Sequence, residues 1–231
     1  MEAAARPPAR IRRVDPTTRE IRAAATVIAA RPGARGVEVL VLRRGRESRF
    51  LPGYVVFPGG AVDEGDPERA ARWFGTPEEA ARAAAVRELA EEAGLVVTRS
   101  GIHRAPERRP LSPVDEAPPM TDGVPQISHW VAPESVPVRF DARYFAVAAP
   151  RGIDPRPDGR EAAEAWWANP GELLDGWAAG AVRLYWPTLK TMEALARCAS
   201  VEEILALTIP QQEPDASDEA AMPRSTFFQE A

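Results

Sequence analysis

The sequence predicts a single α/β domain with a tail at each end, and three observations predict it. Short apolar, β-rich runs alternate with stretches of helical periodicity. A chain of 231 residues holds one well-buried domain with extensions and is short for two. Its 45% hydrophobic and 27% charged residues match a globular composition, with no internal repeat or domain-length linker to divide it.

Residues 1–20 mix Ala, Arg and Pro and read as a flexible arm. Two β-rich runs, 23–30 and 37–42, flank Arg31-Pro32-Gly33-Ala34-Arg35-Gly36, where Gly and Pro supply turn geometry, so a hairpin is expected. A basic loop, 43–53, leads to a third apolar run, Tyr54-Val55-Val56-Phe57, which stops at Pro58-Gly59-Gly60. A helix is expected over 77–93, with Thr76 as its cap, Pro77 in its first turn and Gly94 at its end. A strand follows at 95–97.

Prolines 106, 110, 113, 118, 119 and 125 then forbid long regular structure across 99–126, a loop expected to be functional or mobile. Strands are expected at 127–131, 142–148 and around Ala165-Trp166-Trp167, where alternation sends one ring inward and one outward. Helices are expected over 170–178, 187–199 and 201–207. From Pro210 the tail is polar and reads as disordered, with Phe227-Phe228 able to dock.

The net charge of -5 argues against a general polyanion binder such as a nucleic-acid protein. Arg carries nearly all the positive charge, Lys190 being the only lysine. The single cysteine, Cys198, excludes an intramolecular disulfide and suits a reducing compartment; its apolar helical surroundings make it a core residue. No apolar run approaches the ~20 residues that span a bilayer. Arg12-Arg13 is followed by Asp15, Arg19, Glu20 and Arg22 rather than an apolar stretch, so no signal peptide is read and a cytoplasmic location without membrane contact is expected.

The chemistry concentrates in the helix carrying Arg87-Glu88-Leu89-Ala90-Glu91-Glu92-Ala93-Gly94-Leu95. At about 100° per residue, Glu88, Glu91 and Glu92 fall within about 100° of one another, while Val86, Leu89, Ala90 and Ala93 cluster opposite. One face therefore packs on a sheet and the other crowds three carboxylates. Like charges at this spacing repel, which invites a hard cation such as Mg2+ or Mn2+ that prefers oxygen ligands. A Glu-rich helix face alone is usually just solvated. Here it follows a buried-type strand ending in Gly59-Gly60, a pair that lets backbone approach a ligand closely.

In these residues the chain resembles the Nudix family, whose box runs glycine, five residues, glutamate, seven residues, then Arg-Glu-aliphatic-x-Glu-Glu-x-Gly-aliphatic. Glu79 stands seven residues before Arg87, and 87–95 match throughout. The departure lies upstream: 18 residues, 61–78, separate Gly60 from Glu79, so that 13 are inserted, and Glu68-Arg69-Ala70-Ala71-Arg72-Trp73-Phe74 among them can make a short helix. Within the family, the branch similar to peroxisomal coenzyme A diphosphatases also carries an insertion here. Phe50-Leu51-Pro52-Gly53, Trp130-Val131-Ala132-Pro133 and Arg139-Phe140-Asp141-Ala142-Arg143-Tyr144-Phe145 resemble that branch, from which Ala142 and the Pro-rich loop depart.

The resemblance implies an α/β/α sandwich with a mixed central sheet over 21–209, including a helical extension at 187–209, and a polar tail from 210. It implies Mg2+- or Mn2+-dependent hydrolysis of a diphosphate linkage in a nucleotide-type small molecule, coenzyme A or an acyl derivative first. ADP-ribose, a dinucleotide or a nucleotide sugar is the alternative, and a non-catalytic nucleotide-sensing module a third. Glu91 and Glu92 would be the principal ligands, the Gly59 carbonyl an additional one, and Glu88 either a third ligand or the general base. Arg87 would orient Glu88, with Glu79 paired to Arg87 and Gly60 in support. A further glutamate before the last strand, Glu161 or Glu164, would assist. Arg43, Arg44 or Arg46 could meet the substrate phosphates. His103 and His129 lack metal-ligand spacing. A homodimer is common among resembling proteins.

Overall fold

β1 (Ile21–Gly33) organises the sheet in the computed structural model, which describes residues 21–48, 50–120, 122–134 and 139–227. The arm read over 1–20, and Phe228, lie outside the described residues. β1 turns through Ala34-Arg35 into antiparallel β2 (Gly36–Arg44), the expected hairpin. Its first ten residues run parallel to β8 (Arg139–Ala148), and the opposite edge of the same stretch pairs, through Ala24–Thr26, with β4 (Gly59–Ala61). β3 (Val55–Val56) and β9 (Ala162–Ala168) both add antiparallel to β2, and β7 (Gln126–Val131) adds antiparallel to β8. One parallel pairing among antiparallel ones makes the sheet mixed, as expected.

Both faces of this sheet are covered, which explains why its central strands are nearly all apolar. On one face lies α2 (Ala80–Ala93), whose Ala83, Ala84, Val86, Leu89 and Ala93 are wholly buried; the small alanines let it sit close to β1. On the other lie α4 (Pro170–Ala178), α5 (Trp186–Leu195) and α6 (Val201–Leu205), which bury Leu173, Leu189, Met192, Leu195 and Ile204 against Ile28, Val39 and Val41. Strand alternation sends Trp167 to the α2 face, where its indole N–H donates to the Ile153 carbonyl at 2.7 Å, and Trp166 to the other face. Both faces being covered, neither ring points to open solvent.

Two features differ from the sequence reading, and two take the form it gives. The predicted helix over 77–93 begins as a 3-10 turn, Pro77–Glu79, and Thr76 makes no side-chain cap; its hydroxyl instead meets the Glu78 carboxylate. The short helix read over 68–74 forms as α1 (Asp66–Phe74), closed by Gly75 in the left-handed region. The Pro-rich 99–126 stretch holds only short elements, as its prolines require: β6 (Gly101–Arg104), which pairs with β5 (Leu95–Thr98), and the one-turn α3 (Ser112–Asp115). Its Asp115 accepts the Trp73 indole N–H at 2.9 Å and the Met120 amide donates to the Trp73 carbonyl at 2.6 Å, so this stretch packs against α1.

The second difference is the tail, which is ordered from Pro210 to Phe227 where disorder is expected. The Ile209 amide donates to the Ile127 carbonyl, Gln211 makes two hydrogen bonds to the Val131 backbone, and the Trp186 indole donates to the Gln212 carbonyl at 2.6 Å. After α7 (Ala216–Ala221) the chain returns to the domain. The Tyr54 hydroxyl donates to the Ser225 carbonyl, and the buried Phe227 ring lies 5.2 Å from that of Trp186.

Candidate active site

The site forms where α2 passes under β4. Val86, Leu89, Ala90 and Ala93 bury the sheet-facing side, and Gly94, at φ 63°, ends the helix in a conformation that glycine adopts without strain. On the remaining surface the three glutamates differ in environment, whereas the sequence placed them on one face away from the core. The Glu91 side chain is 48% exposed and that of Glu88 13%, while Glu92 is buried. Glu92 Oε2 accepts the Gly59 amide at 2.9 Å.

The two glycines of β4 stand in tight surroundings, against backbone at Gly59 and against a side chain at Gly60. A Cβ on Gly59 would lie 2.4 Å from the Ala25 carbonyl oxygen, and one on Gly60 would lie 2.3 Å from Glu88 Oε1. Gly59 thus lets β4 pair closely with β1, and Gly60 lets it lie over the Glu88 carboxylate.

Arg87 is the buried cation at the centre of this cluster. Its Nη1 donates to Glu88 Oε1 at 2.7 Å and to Glu91 Oε2 at 3.0 Å, and its Nη2 to the Ala61 carbonyl at 2.9 Å. The remaining edge grips Asp66: Nε to Oδ1 at 3.1 Å and Nη2 to Oδ2 at 3.0 Å. The expected Glu79–Arg87 pair is absent; Glu79 instead faces Arg82 at 3.4 Å, one helical turn away. Sequence reasoning missed Asp66, one of several acidic residues in the 61–78 segment with no spacing to single it out.

Burial raises the Glu88 carboxyl above its ordinary value, and the Glu91 and Glu161 charges add to this, against the neighbouring Arg87. Burial pushes Glu92 up to about 8, against the Gly59 amide, with the Glu88 and Glu161 charges adding and Arg44 opposing. Asp66 goes the other way. Burial opposes it, but hydrogen bonds from Arg87, the Asp63 amide and Arg69 hold it below the usual carboxylate range. Arg87 itself is held firmly protonated: Asp66 and Glu88 outweigh its burial.

The candidates outside α2 separate. Glu161 lies near Glu88 and Glu92 and faces Arg44 at 3.8 Å, whereas Glu164 sits opposite Arg43 across the β2–β9 ladder, in an exposed pair at 3.2 Å. Of the three loop arginines, Arg44 alone lines the cavity described below; Arg43 packs over the Trp166 ring and Arg46 is exposed. Arg22, not singled out in the sequence, lines it as well. His103 bonds to Ser100, and His129 to Asp141, both at the surface.

A cavity of about 520 Å3 opens in front of Gly59, Gly60 and Ala61. Its walls are mainly apolar and aromatic: the Phe50 ring meets Phe140 edge-on at 5.4 Å and Tyr185 at 6.4 Å, with Trp130 beside them. The tail supplies the far wall through Gln211–Pro214 and Glu219.

Among the described residues no three His, Cys, Asp or Glu side chains converge as a ready-made cation cage. Arg87 draws Glu88 and Glu91 to itself and the Gly59 amide holds Glu92. By donor chemistry the set fits a hard divalent ion: carboxylate oxygens alone, three from one helix and a fourth from Glu161.

A carboxylate-bearing helix thus lies under a glycine strand that lines an aromatic cavity. The chain belongs to the NUDIX domain family, whose model matches residues 20–186. A NUDIX hydrolase from Alicyclobacillus acidocaldarius is similar in structure, with a TM-score of 0.69 at 32% identity over 82% of this chain and 98% of that one. The NUDIX domain of Shewanella oneidensis NrtR, solved with ADP ribose, shares the fold at a TM-score of 0.51 and 14% identity, over 80% of this chain and 92% of that one. Nudix hydrolase 7 of Caenorhabditis elegans is 41% identical over 80 residues, 35% of this chain; the match spans about a quarter, 24%, of that curated relative's length. Among the described residues no helix is long and apolar enough to cross a membrane.

Proposed function

We propose that this protein is a Mg2+- or Mn2+-dependent hydrolase of a diphosphate linkage in a nucleoside-diphosphate-linked compound, with coenzyme A or an acyl derivative as the first candidate. The observation that carries the reading is that Glu88, Glu91 and Glu92 lie on one helix beneath the Gly59–Ala61 strand, whose residues line the aromatic cavity together with Glu161. A divalent ion bound there supplies charge neutralisation for the diphosphate and lowers the pKa of the attacking water.

The chain's own residues do the rest. Arg87 holds Glu88 and Glu91 on one side of the helix, and the Gly59 amide fixes Glu92. Glu88, partly buried and with its carboxyl raised, is a ligand or the group that takes the proton from water; Glu161 is the second group placed for either task. Arg44 and Arg22 are the cations on the cavity wall, suited to the phosphate oxygens, while Phe50, Phe140, Tyr185 and Trp130 offer flat apolar surface to the organic part of the substrate.

Mass spectrometry of products from coenzyme A, ADP-ribose and NADH incubated with Mn2+ tests this. Release of 3',5'-ADP from coenzyme A supports the branch resemblance in Phe50-Leu51-Pro52-Gly53 and Trp130-Val131-Ala132-Pro133. Cleavage of ADP-ribose or NADH alone moves the substrate and keeps the chemistry. No turnover of any, with binding retained, favours a sensing module.

A further inference from the structure

We propose that Asp66, brought in by the segment between Gly60 and Glu79, is the positioning residue of this site: it sets the orientation of the Arg87 guanidinium, which in turn aims Glu88 and Glu91. The inference rests on the functional reading above.

A guanidinium is a flat fork whose two edges can be engaged independently. In Arg87 the Nε–Nη2 edge is taken by the two oxygens of Asp66 at 3.1 and 3.0 Å, and Nη1 is left to Glu88 and Glu91. Rotation of the group would break the Asp66 fork, so the direction of Nη1 is fixed from behind. Asp66 is itself immobilised, with Oδ1 accepting from Arg69 Nη1 at 2.8 Å and Oδ2 from the Asp63 amide at 2.8 Å. It touches neither glutamate and acts only through Arg87.

Packing alone does not account for this carboxylate. Ala70 and Trp73 already dock α1 by burying apolar surface, whereas Asp66 is 0% exposed, and a buried charge is a net cost unless it is fully paired. Glu79 cannot do the same work, being engaged with Arg82. The helix inserted in the box thus delivers the acid that steadies the box arginine.

The test compares full-length Asp66→Asn, Asp66→Glu and Glu79→Gln with the wild type. Free Mn2+ is followed by electron paramagnetic resonance, kcat and KM are measured on whichever diphosphate substrate the panel identifies, and thermal unfolding is recorded. Asp66→Asn is expected to weaken Mn2+ binding and lower kcat, each by about 10- to 100-fold, with KM little changed, as for other groups that orient metal ligands indirectly. Asp66→Glu keeps the charge and the fold and should fall between Asp66→Asn and the wild type; it carries the test if Asp66→Asn does not fold. Glu79→Gln should stay within about twofold of wild type, since Glu79 pairs with Arg82, one helical turn away, and makes no bond to Arg87. Wild-type Mn2+ affinity and kcat in folded Asp66→Glu or Asp66→Asn would overturn the inference alone. A wild-type protein that neither binds Mn2+ nor cleaves a diphosphate would overturn the functional reading and this one with it.

Discussion

Gly60 lies so close to Glu88 that a Cβ at residue 60 would fall 2.3 Å from Glu88 Oε1, whereas a Cβ on its neighbour Gly59 would strike backbone, the Ala25 carbonyl oxygen at 2.4 Å. The two glycines therefore fail differently when replaced. In Gly60→Ala the obstructed atom ends a flexible side chain, so Glu88 swings aside at small cost to the fold. Turnover should drop by about 100-fold, the scale of a misplacement near 1 Å. In Gly59→Ala the β4–β1 pairing itself must open, and the loss should reach about 1–3 kcal/mol of stability. Thermal unfolding and turnover measured on both variants separate the two; wild-type turnover in Gly60→Ala would remove Glu88 from the reaction.

Glu92 makes the metal-free protein sensitive to alkaline pH. Burial holds its folded carboxyl at about 8 against an ordinary 4.5, so the folded chain keeps a proton that the unfolded chain has released. That stability is fully present below 4.5 and is lost as pH rises through about 8. Asp66, held below its ordinary value, contributes in the opposite sense, and its share is lost only in acid. Glu92→Gln, neutral and of nearly the same shape, should flatten the alkaline decline while abolishing metal-dependent turnover. Melting temperatures from pH 5 to about 9 in EDTA would show it; equal slopes in the two proteins would contradict the burial argument.

Much of this was legible in the sequence because it was periodic. The apolar stripe of α2, its Gly94 stop and the placing of Glu88 and Glu91 away from that stripe all follow from 3.6-residue spacing. β4 was not legible: Gly59-Gly60-Ala61 has poor strand propensity and becomes a strand because Ala24–Thr26 offers an edge to pair with, close enough to leave no room for a Cβ at Gly59. Asp66 stands among Asp63, Glu64 and Glu68 with nothing local to distinguish it; its partner lies 21 residues away. Glu161 and Glu164 look alike in sequence, and the register of β9 on β2 separates them, setting Glu164 opposite Arg43. The tail escaped for a related reason. Its anchors are carbonyls of Ile209, Gln212 and Ser225 and one aromatic ring, none of which makes a pattern.

The docked tail should matter for both stability and substrate affinity. Phe227→Ala removes a buried ring packed on Trp186 and should cost about 3 kcal/mol. Tyr54→Phe removes the hydroxyl that donates to the Ser225 carbonyl at 2.6 Å. Its cost should be about 1 kcal/mol, the net worth of a typical hydrogen bond. Since Gln211–Pro214 wall the cavity, loosening the tail should raise KM more than it lowers kcat. Denaturant unfolding with steady-state kinetics on both variants checks the pairing; an unchanged KM in Phe227→Ala would detach the tail from substrate binding.

Glu161 and Glu164 offer the sharpest internal control, being three residues apart and chemically identical. Glu161 faces the cavity near Glu88 and Glu92, close to Arg44; Glu164 meets Arg43 in an exposed cross-strand pair. Glu161→Gln should lower kcat by about 100-fold or more if it handles a proton or holds the cation. Glu164→Gln should leave kcat unchanged and shift stability by less than about 1 kcal/mol, as for other exposed ion pairs. The arginines facing them should divide in the same way, with Arg44→Ala raising KM for the diphosphate and Arg43→Ala leaving it near wild type. Equal loss of turnover in Glu161→Gln and Glu164→Gln would mean that the β9 register, rather than the position of one carboxylate, governs the effect.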